Sequence, residues 1–407
     1  MFRIFKKFRL NKASIALIIL SFMVTLGRQL ITSILTIYFL YRGLTYEQVG
    51  ILFSTYTLAI TLTSIWVGGL ADRFGRKKIL MVGSLIYSLS LYLISFPESF
   101  AYYLTAYTAL ALGTSSLMGV LTAWYFTEVA KYNIWDEGER IYSVARTLNY
   151  ISILLANIAT SFLLILTGDM ALIFKIAALV NLFALILIIL LVSENYGDRE
   201  GNYLLIIREG INIVLANKIM LMLTISNIIY GILQSHFILT WQIYFHSILN
   251  FPEEMLGFIY TLYTIGGIIG STIASIIGGK YTSEYRSLLL VVLSALISIL
   301  YALPFFVLDK LSSLIWMLIF NLILSIYTIY NTILFNKEVP SEYRATAASA
   351  MFTLSSIASS LSLYIFGVIV NTIGLRESFI LVSSIHLVQI FIFLIIYRFY
   401  INRSYNK

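Results

Sequence analysis

Cysteine is absent from the 407 residues, which excludes disulfides, thiolate metal sites and cysteine nucleophiles outright. Charge is nearly as scarce. Asp, Glu, Lys and Arg make up 11% of the chain, against about 25% for a soluble domain whose surface must be solvated. With 60% hydrophobic residues and a mean hydropathy of +0.91, too little polar surface remains to cover a globule in water. Lipid must solvate most of it. The three histidines, His236, His246 and His386, show no metal-ligand spacing, and no cofactor is expected. The net charge of +8 would suit nucleic acid, but its placement follows membrane topology instead, and nucleic acid is not an expected partner.

The chain opens on Arg3, Lys6, Lys7, Arg9 and Lys12 ahead of an apolar run, as a signal peptide does. That run continues to Leu40 with no small-residue cleavage site, so it reads as a retained first span. A bilayer core of roughly 30 Å needs about 20 apolar helical residues. On that basis spans are expected over 13–40, 48–70, 79–96, 100–127, 142–167 and 170–192. Six more are expected over 218–245, 254–279, 287–308, 312–335, 345–372 and 378–400. If the N-terminus is cytoplasmic, the outside segments hold only Arg42, Lys175, Lys310 and Arg376. Arg28 lies within a span, and every other Lys and Arg falls inside. This bias predicts an even number of crossings with both termini cytoplasmic. The expected setting is the cell membrane, and the expected state a monomer.

The stretch 194–217 is the only long polar break, and its Leu204, Leu205, Ile207, Ile211 and Ile213 alternate with charge as in a helix at the membrane interface. It separates two halves, 1–193 and 218–407, that echo each other. Glu47-Gln48-Val49-Gly50-Ile51 resembles Glu254-Met255-Leu256-Gly257-Phe258, and Tyr56 then falls on Tyr263. Thr36-Ile37-Tyr38-Phe39 pairs with Gln242-Ile243-Tyr244-Phe245, and Gly68-Gly69 with Gly278-Gly279. Thr127-Glu128-Val129-Ala130 pairs with Lys337-Glu338-Val339-Pro340, and Glu139-Arg140 is echoed by Glu342-Tyr343-Arg344. The shared order and nearly constant offset predict an all-α polytopic membrane protein, with twelve transmembrane helices in two pseudo-symmetric six-helix bundles. Many secondary transporters are built in this way.

Between the second and third spans the chain reads Gly68-Gly69-Leu70-Ala71-Asp72-Arg73-Phe74-Gly75-Arg76-Lys77-Lys78-Ile79-Leu80. This resembles the G-x-L-A-D-R-x-G-R-K loop of the major facilitator superfamily, in the expected place. The resemblance implies a transporter working by alternating access, with this loop as part of a cytoplasmic gate. By the same resemblance, Asp72 faces the N-terminal end of the eleventh helix near Ala345, where a helix dipole favours a carboxylate. Arg76 then pairs with Glu128 at the end of the fourth helix. Arg73 completes the loop, Arg140 and Arg344 start the fifth and eleventh helices, and Gly68 and Gly75 allow close approach and a tight turn. The second-half counterpart from Gly278 to Arg286 lacks the aspartate and second glycine, so an asymmetric gate is expected.

Arg28 stands about 22 Å and 18 Å from the two ends of its span at helical rise. An arginine so deep costs about 2.5–3.5 kcal/mol on insertion scales and should face a cavity or a protein partner. The functional reading is a contact to an anionic group on a small organic solute; the plainer one is satisfaction by helix carbonyls and Gln29. At the repeat offset Arg28 falls on Gln234, with His236 two residues on, and the three are expected to converge. Asn331, Tyr327, Trp124, Tyr56 and Tyr263 are further candidates for the cavity wall, while Lys175 is expected to snorkel outward. No Asp or Glu lies deep in a span, and the fifth span has neither Gly nor Pro. These absences weaken the alternative of multidrug efflux by proton antiport, although His236 and Glu128 could still couple transport to protons, and another coupling ion stays open. Intramembrane zinc and aspartyl proteases are excluded by the absence of H-E-x-x-H and of paired intramembrane aspartates; an enzyme is not expected.

Overall fold

The computed structural model describes residues 12–197, 203–277, 282–306, 309–339 and 343–405. The basic cluster Arg3–Arg9, the loop residues 278–281, Pro340 and Glu342 lie outside them. The elements are α1 Lys12–Thr32, α2 Leu35–Tyr41, α3 Tyr46–Phe74, α4 Arg76–Ile94, α5 Phe100–Tyr132, α6 Trp135–Thr167 and α7 Met170–Leu191. They continue as α8 Tyr203–Ala216, α9 Lys218–Ile243, α10 Leu256–Ile277, α11 Ser283–Phe306, α12 Lys310–Glu338, α13 Arg344–Thr372 and α14 Leu375–Tyr405. Among the described residues no strand occurs. This follows from the solvent: in hydrocarbon every backbone N–H and C=O must be satisfied within its own helix.

Among the described residues eleven helices are long and apolar enough to cross a membrane, and α3 makes the twelfth if its two arms, Tyr46–Ser64 and Trp66–Phe74, count as one span bent by 42°. The expected first span is broken: a turn at Ser33 and Ile34 separates α1 from α2. Spans four and five overshoot their predicted ends, with α5 running to Tyr132 and α6 starting at Trp135. Asn133 takes a left-handed conformation between them (φ 52°), which closes α5 in a tight cap.

Contacts divide the chain into two compact units. The first contains Met1–Leu35 and Leu58–Gly201, the second Thr36–Thr57 and Asn202–Lys407. The segment 36–57 thus packs with the second unit. There Gln242 Oε1 accepts from the backbone N–H of Thr36 at 2.8 Å and of Ile37 at 3.2 Å, satisfying donors that the break before α2 exposes. Farther along, Ser54 and Ser360 share a hydroxyl contact of 3.1 Å. Helix α8 is also tied down, since a Cβ on Gly210 would lie 2.4 Å from the carbonyl oxygen of Thr346 on α13.

Helices attract one another in lipid by close packing rather than by hydrophobic exclusion, and the second unit shows how. Gly266 and Gly270, one turn apart on α10, lie against two carbonyls of α12 that are also one turn apart. An added Cβ would meet Leu318 O at 2.1 Å and Leu322 O at 2.2 Å. Backbone cannot yield as a side chain can. Gly270→Ala is expected to destabilise the protein by about 1–3 kcal/mol, the usual cost of overpacking. A thermal unfolding midpoint equal to that of the unmodified protein would show that the two helices do not approach this closely.

Candidate functional site

A cavity of about 280 Å³ opens within the first unit. Three helices each present one stripe to it. Leu17, Ser21, Val24, Thr25 and Arg28 come from α1, Thr114, Leu117, Met118, Leu121 and Thr122 from α5, and Tyr142, Ala145, Arg146, Asn149, Tyr150 and Ile153 from α6, with Tyr87 added from α4. Within each stripe the residues recur three and four apart, the spacing of one helical face. Arg28 Nη1 lies 3.6 Å from Met118 Sδ, a weak acceptor. Among the described residues no Asp or Glu lines the cavity, so neither arginine is neutralised by a carboxylate among them. The lining adds hydroxyls of Ser21, Thr25 and Thr122, the Asn149 amide and phenols of Tyr142 and Tyr150. It offers cations and hydrogen-bond donors without a competing anion.

Arg146 was not singled out by sequence reasoning, because its place near the start of the expected fifth span made it look like one more topological charge. The stripe it shares with Tyr142, Asn149 and Ile153 was the available signal.

The motif loop is held differently from expectation. Asp72 forms an ion pair with Arg76 at 2.8 Å. Arg76 Nη1 also donates to Ala123 O at 3.1 Å and to Thr127 Oγ1. Glu128, the expected partner of Arg76, is joined at one remove: Asn195 Nδ2 donates to Glu128 Oε1 at 2.9 Å, and Asn195 Oδ1 lies 3.5 Å from Arg76 Nη1. Residues 193–197, which follow α7, therefore complete the cluster. Trp124, a candidate wall residue, is fully buried, and its Nε1 donates to Ser193 O at 2.8 Å.

Gly75 caps α4 with φ 110°, a conformation that only glycine adopts without strain. Having no side chain, it cannot bond the exposed N–H groups, and Glu194 does so instead by accepting from Lys77 N at 2.8 Å. A Cβ on Gly75 would stand 2.6 Å from that carboxylate. Gly68 carries no such constraint, since an added Cβ there would meet nothing within 4 Å. Arg73, Arg140 and Arg344 are exposed, and Arg140 lines a shallow depression with Asp136, Glu139 and Ser143.

In the second unit Gln234 and His236 do not converge. Two residues apart on a helix, they point about 200° from each other. Gln234 Nε2 donates to Tyr230 Oη at 2.7 Å. His236 is fully buried, with Nδ1 2.7 Å from Tyr301 Oη, Nε2 2.7 Å from Ser378 Oγ, and the rings of Phe366 and Phe379 against it. Tyr263 is buried in a stack with Phe237 and Tyr260, and Tyr56 is half-buried in α3. Asn331 is buried, with Oδ1 lacking a hydrogen-bond partner, whereas Tyr327 bonds Ser226 at 2.8 Å. Lys175 extends its ammonium over the Phe96 ring.

Comparison with known proteins agrees with this architecture. The sequence model of the Major Facilitator Superfamily matches residues 17–363. The quinolone resistance protein NorA of Staphylococcus aureus is 29% identical over 92 residues, 23% of this chain and 24% of that protein. The matched stretch thus spans about a quarter of the length of these curated relatives. The crystal structure of the nucleoside transporter NupG superimposes with a TM-score of 0.78 at 14% identity, covering 94% of this chain and 98% of that one. A bacterial homologue of the human lysosomal transporter Spinster gives 0.74 at 14%, covering 96% of each chain. A POT family transporter in complex with 5-aminolevulinic acid gives 0.73 at 14%, also covering 96% of each. At such identities the likeness is one of fold.

The borrowed cap yields a direct test. Glu194→Ala removes the acceptor at the start of α4 and is expected to cost about 0.5–2 kcal/mol, as for the loss of an N-cap. Gly75→Ala should cost more, because it adds backbone strain to the clash. Equal unfolding midpoints for Glu194→Ala and the unmodified protein would remove Glu194 from the cap.

Proposed function

The chain belongs to the major facilitator superfamily, and from that premise we propose that it carries a small organic anion across the membrane by alternating access. Membership and fold make it a multi-pass membrane transporter. The anionic solute rests on one observation: the cavity of the first unit holds Arg28, one turn before the end of α1, and has no carboxylate among its described lining residues. A guanidinium there is expensive without a partner, and a substrate carboxylate or phosphate would supply a charge-assisted, bidentate one. Burial of the anion would then offset the cost that the empty site carries.

In this reading the cluster of Asp72, Gly75, Arg76 and Glu128 stabilises one end of the first bundle, taken as the cytoplasmic end from the distribution of Lys and Arg. Arg73, Arg140 and Arg344 would add positive charge at that end. The acid-free cavity favours facilitated transport, or coupling through the solute's own charge, over a mechanism driven by a carboxylate inside the cavity. A second reading, drug efflux, draws on the partial likeness to the quinolone resistance protein NorA. The same cavity opposes it for cationic drugs, which two arginines would repel.

A thermal-shift screen of the purified protein with carboxylates, phosphate esters, sugars, amino acids, a quinolone and cationic drugs separates the readings. A ligand at 100 times its Kd stabilises by about 2.7 kcal/mol. Stabilisation by anions alone is expected; stabilisation by cations alone would overturn the anion reading. For an anion that is transported, Arg28→Ala should weaken binding by about 10- to 100-fold, the loss of a charge-assisted hydrogen bond, with the fold retained. Unchanged uptake in proteoliposomes would take Arg28 out of the site. Asp72→Asn removes the ion pair with Arg76 and is expected to raise labelling of cysteines introduced at the motif end. Unchanged accessibility would count against the gate.

A further inference from the structure

Arg146 is the second guanidinium of the cavity, and its position relative to Arg28 follows from two hydrogen bonds. Ser152 Oγ donates to Phe22 O at 2.9 Å, and Thr160 Oγ1 donates to Leu30 O, at the same separation of 130 residues. The helices α1 and α6 therefore run parallel in a fixed register, and Arg146 stands level with Ala16. Twelve residues of α1 separate that level from Arg28, about 18 Å at helical rise. One arginine thus sits deep in the cavity and the other toward the end where α6 begins. That end also carries the motif loop, since Arg76 bonds Ala123 and Thr127 on the last turns of α5. Their exposures fit this stagger: Arg146 is exposed, Arg28 half-buried. Between the two levels lie the polar side chains of Ser21, Thr25 and Asn149. Of the acids on α6, Glu139 stands two turns before Arg146 on nearly the same face and lines a separate depression with Asp136, while Glu137 lies on the opposite face.

We propose that Arg146 is an entry site for the transported anion, which a carboxylate or phosphate group meets first from the motif-loop end before it passes to Arg28. The proposal rests on the reading that Arg28 binds the anion. Two cations at different depths give the solute a succession of partners, so that leaving one is offset by reaching the next. An exposed charge at the mouth acts mainly on capture, through a field that salt screens. A charge at the floor acts mainly on retention.

The test uses the full-length protein with benzoate, succinate and glucose 6-phosphate as probes, and benzamide and glucose as neutral counterparts. Melting is measured for the unmodified protein, Arg28→Gln, Arg146→Gln and Arg146→Lys, and uptake into proteoliposomes is followed at rising KCl. At least one anion should raise the melting midpoint of the unmodified protein, and Arg28→Gln should lose that shift. Arg146→Gln should keep most of the shift, while its KM for uptake rises about tenfold, within the range of electrostatic steering, and loses its dependence on KCl. Arg146→Lys should restore both. Benzoate or succinate as the stabilising anion identifies a carboxylate solute, glucose 6-phosphate a phosphate ester. If Arg146→Gln leaves KM and its salt dependence unchanged, the entry role is overturned. It is overturned equally if Arg146→Gln abolishes the thermal shift as fully as Arg28→Gln, because the two arginines then form one site. Should Arg146→Gln fail to fold, an uptake KM of the unmodified protein that is independent of KCl overturns it without any variant. A protein that no anion stabilises overturns the Arg28 reading itself, a result distinct from all of these.

Discussion

The hydroxyls of Ser152 and Thr160, each bonded to a backbone carbonyl of α1, set the register on which the cavity depends. In lipid, two apolar helix faces gain little from leaving the solvent, so register must come from close contact and from polar groups that need partners. A slip of one residue would turn the Arg28 stripe about 100° away from the stripe that carries Arg146. It would also leave both hydroxyls to find other acceptors in an environment without water. The cost of moving is therefore concentrated in the contacts that align the two arginines. Gly27 adds to this from the side of α1 that faces α7, where the Asn181 amide occupies the space a Cβ would fill. Helix α1 is fixed by α6 and α7 together, and its arginine inherits that fixity.

At the motif end the first unit uses a different device. A glycine with φ 110° lets the chain turn from α3 into α4 at Gly75, and the same lack of a side chain leaves the new helix uncapped. The acceptor comes from Glu194, beyond α7. Asn195 then reaches Trp124, Glu128 and Arg76 at once, and Gly197 N donates to Asp72 O at 3.3 Å. Charges that would be costly if buried singly are placed in one hydrogen-bonded cluster, where each has partners. Because the segment following α7 closes this cluster, a displacement of that segment would be felt at Asp72 and Arg76. That gives the gate proposal a physical path.

Much of this was legible in the sequence, for reasons that can be named. Helix number and type followed from the shortage of charge, because lipid leaves the backbone no alternative to helices. That Arg28 faces a cavity matches the expectation for a lone charge within an apolar run. The break before α2 was not legible: the run from Ala13 to Leu40 stays apolar throughout, and what stabilises the interruption is the Gln242 amide, distant in sequence. The pairing of Arg76 with Glu128 missed Asn195, since a single asparagine in a polar stretch announces nothing until the chain folds it back. Gln234 and His236 were grouped by nearness in sequence, although two residues on a helix nearly oppose each other. Arg146 was passed over because span boundaries, drawn by hydropathy, put it at an edge, whereas helical periodicity would have put it on the face of Asn149.

The repeat explains the shape of the two halves better than their chemistry. The position matching Arg28 is Gln234, whose amide is already engaged by Tyr230. His236, Tyr301 and Ser378 satisfy one another, and Ser226, Tyr327 and Gln389 form a second closed network. These polar groups bind helices of the second unit together and have little capacity left for a solute. The first unit does the reverse: its cavity keeps two cations, hydroxyls and an amide on walls that supply no carboxylate. Two similar halves can share a fold and differ in where their polar groups point, because helix packing depends on small residues and register, and binding on a few side chains facing a cavity. Among the described residues that line the cavity, the charge that composition made scarce meets no carboxylate.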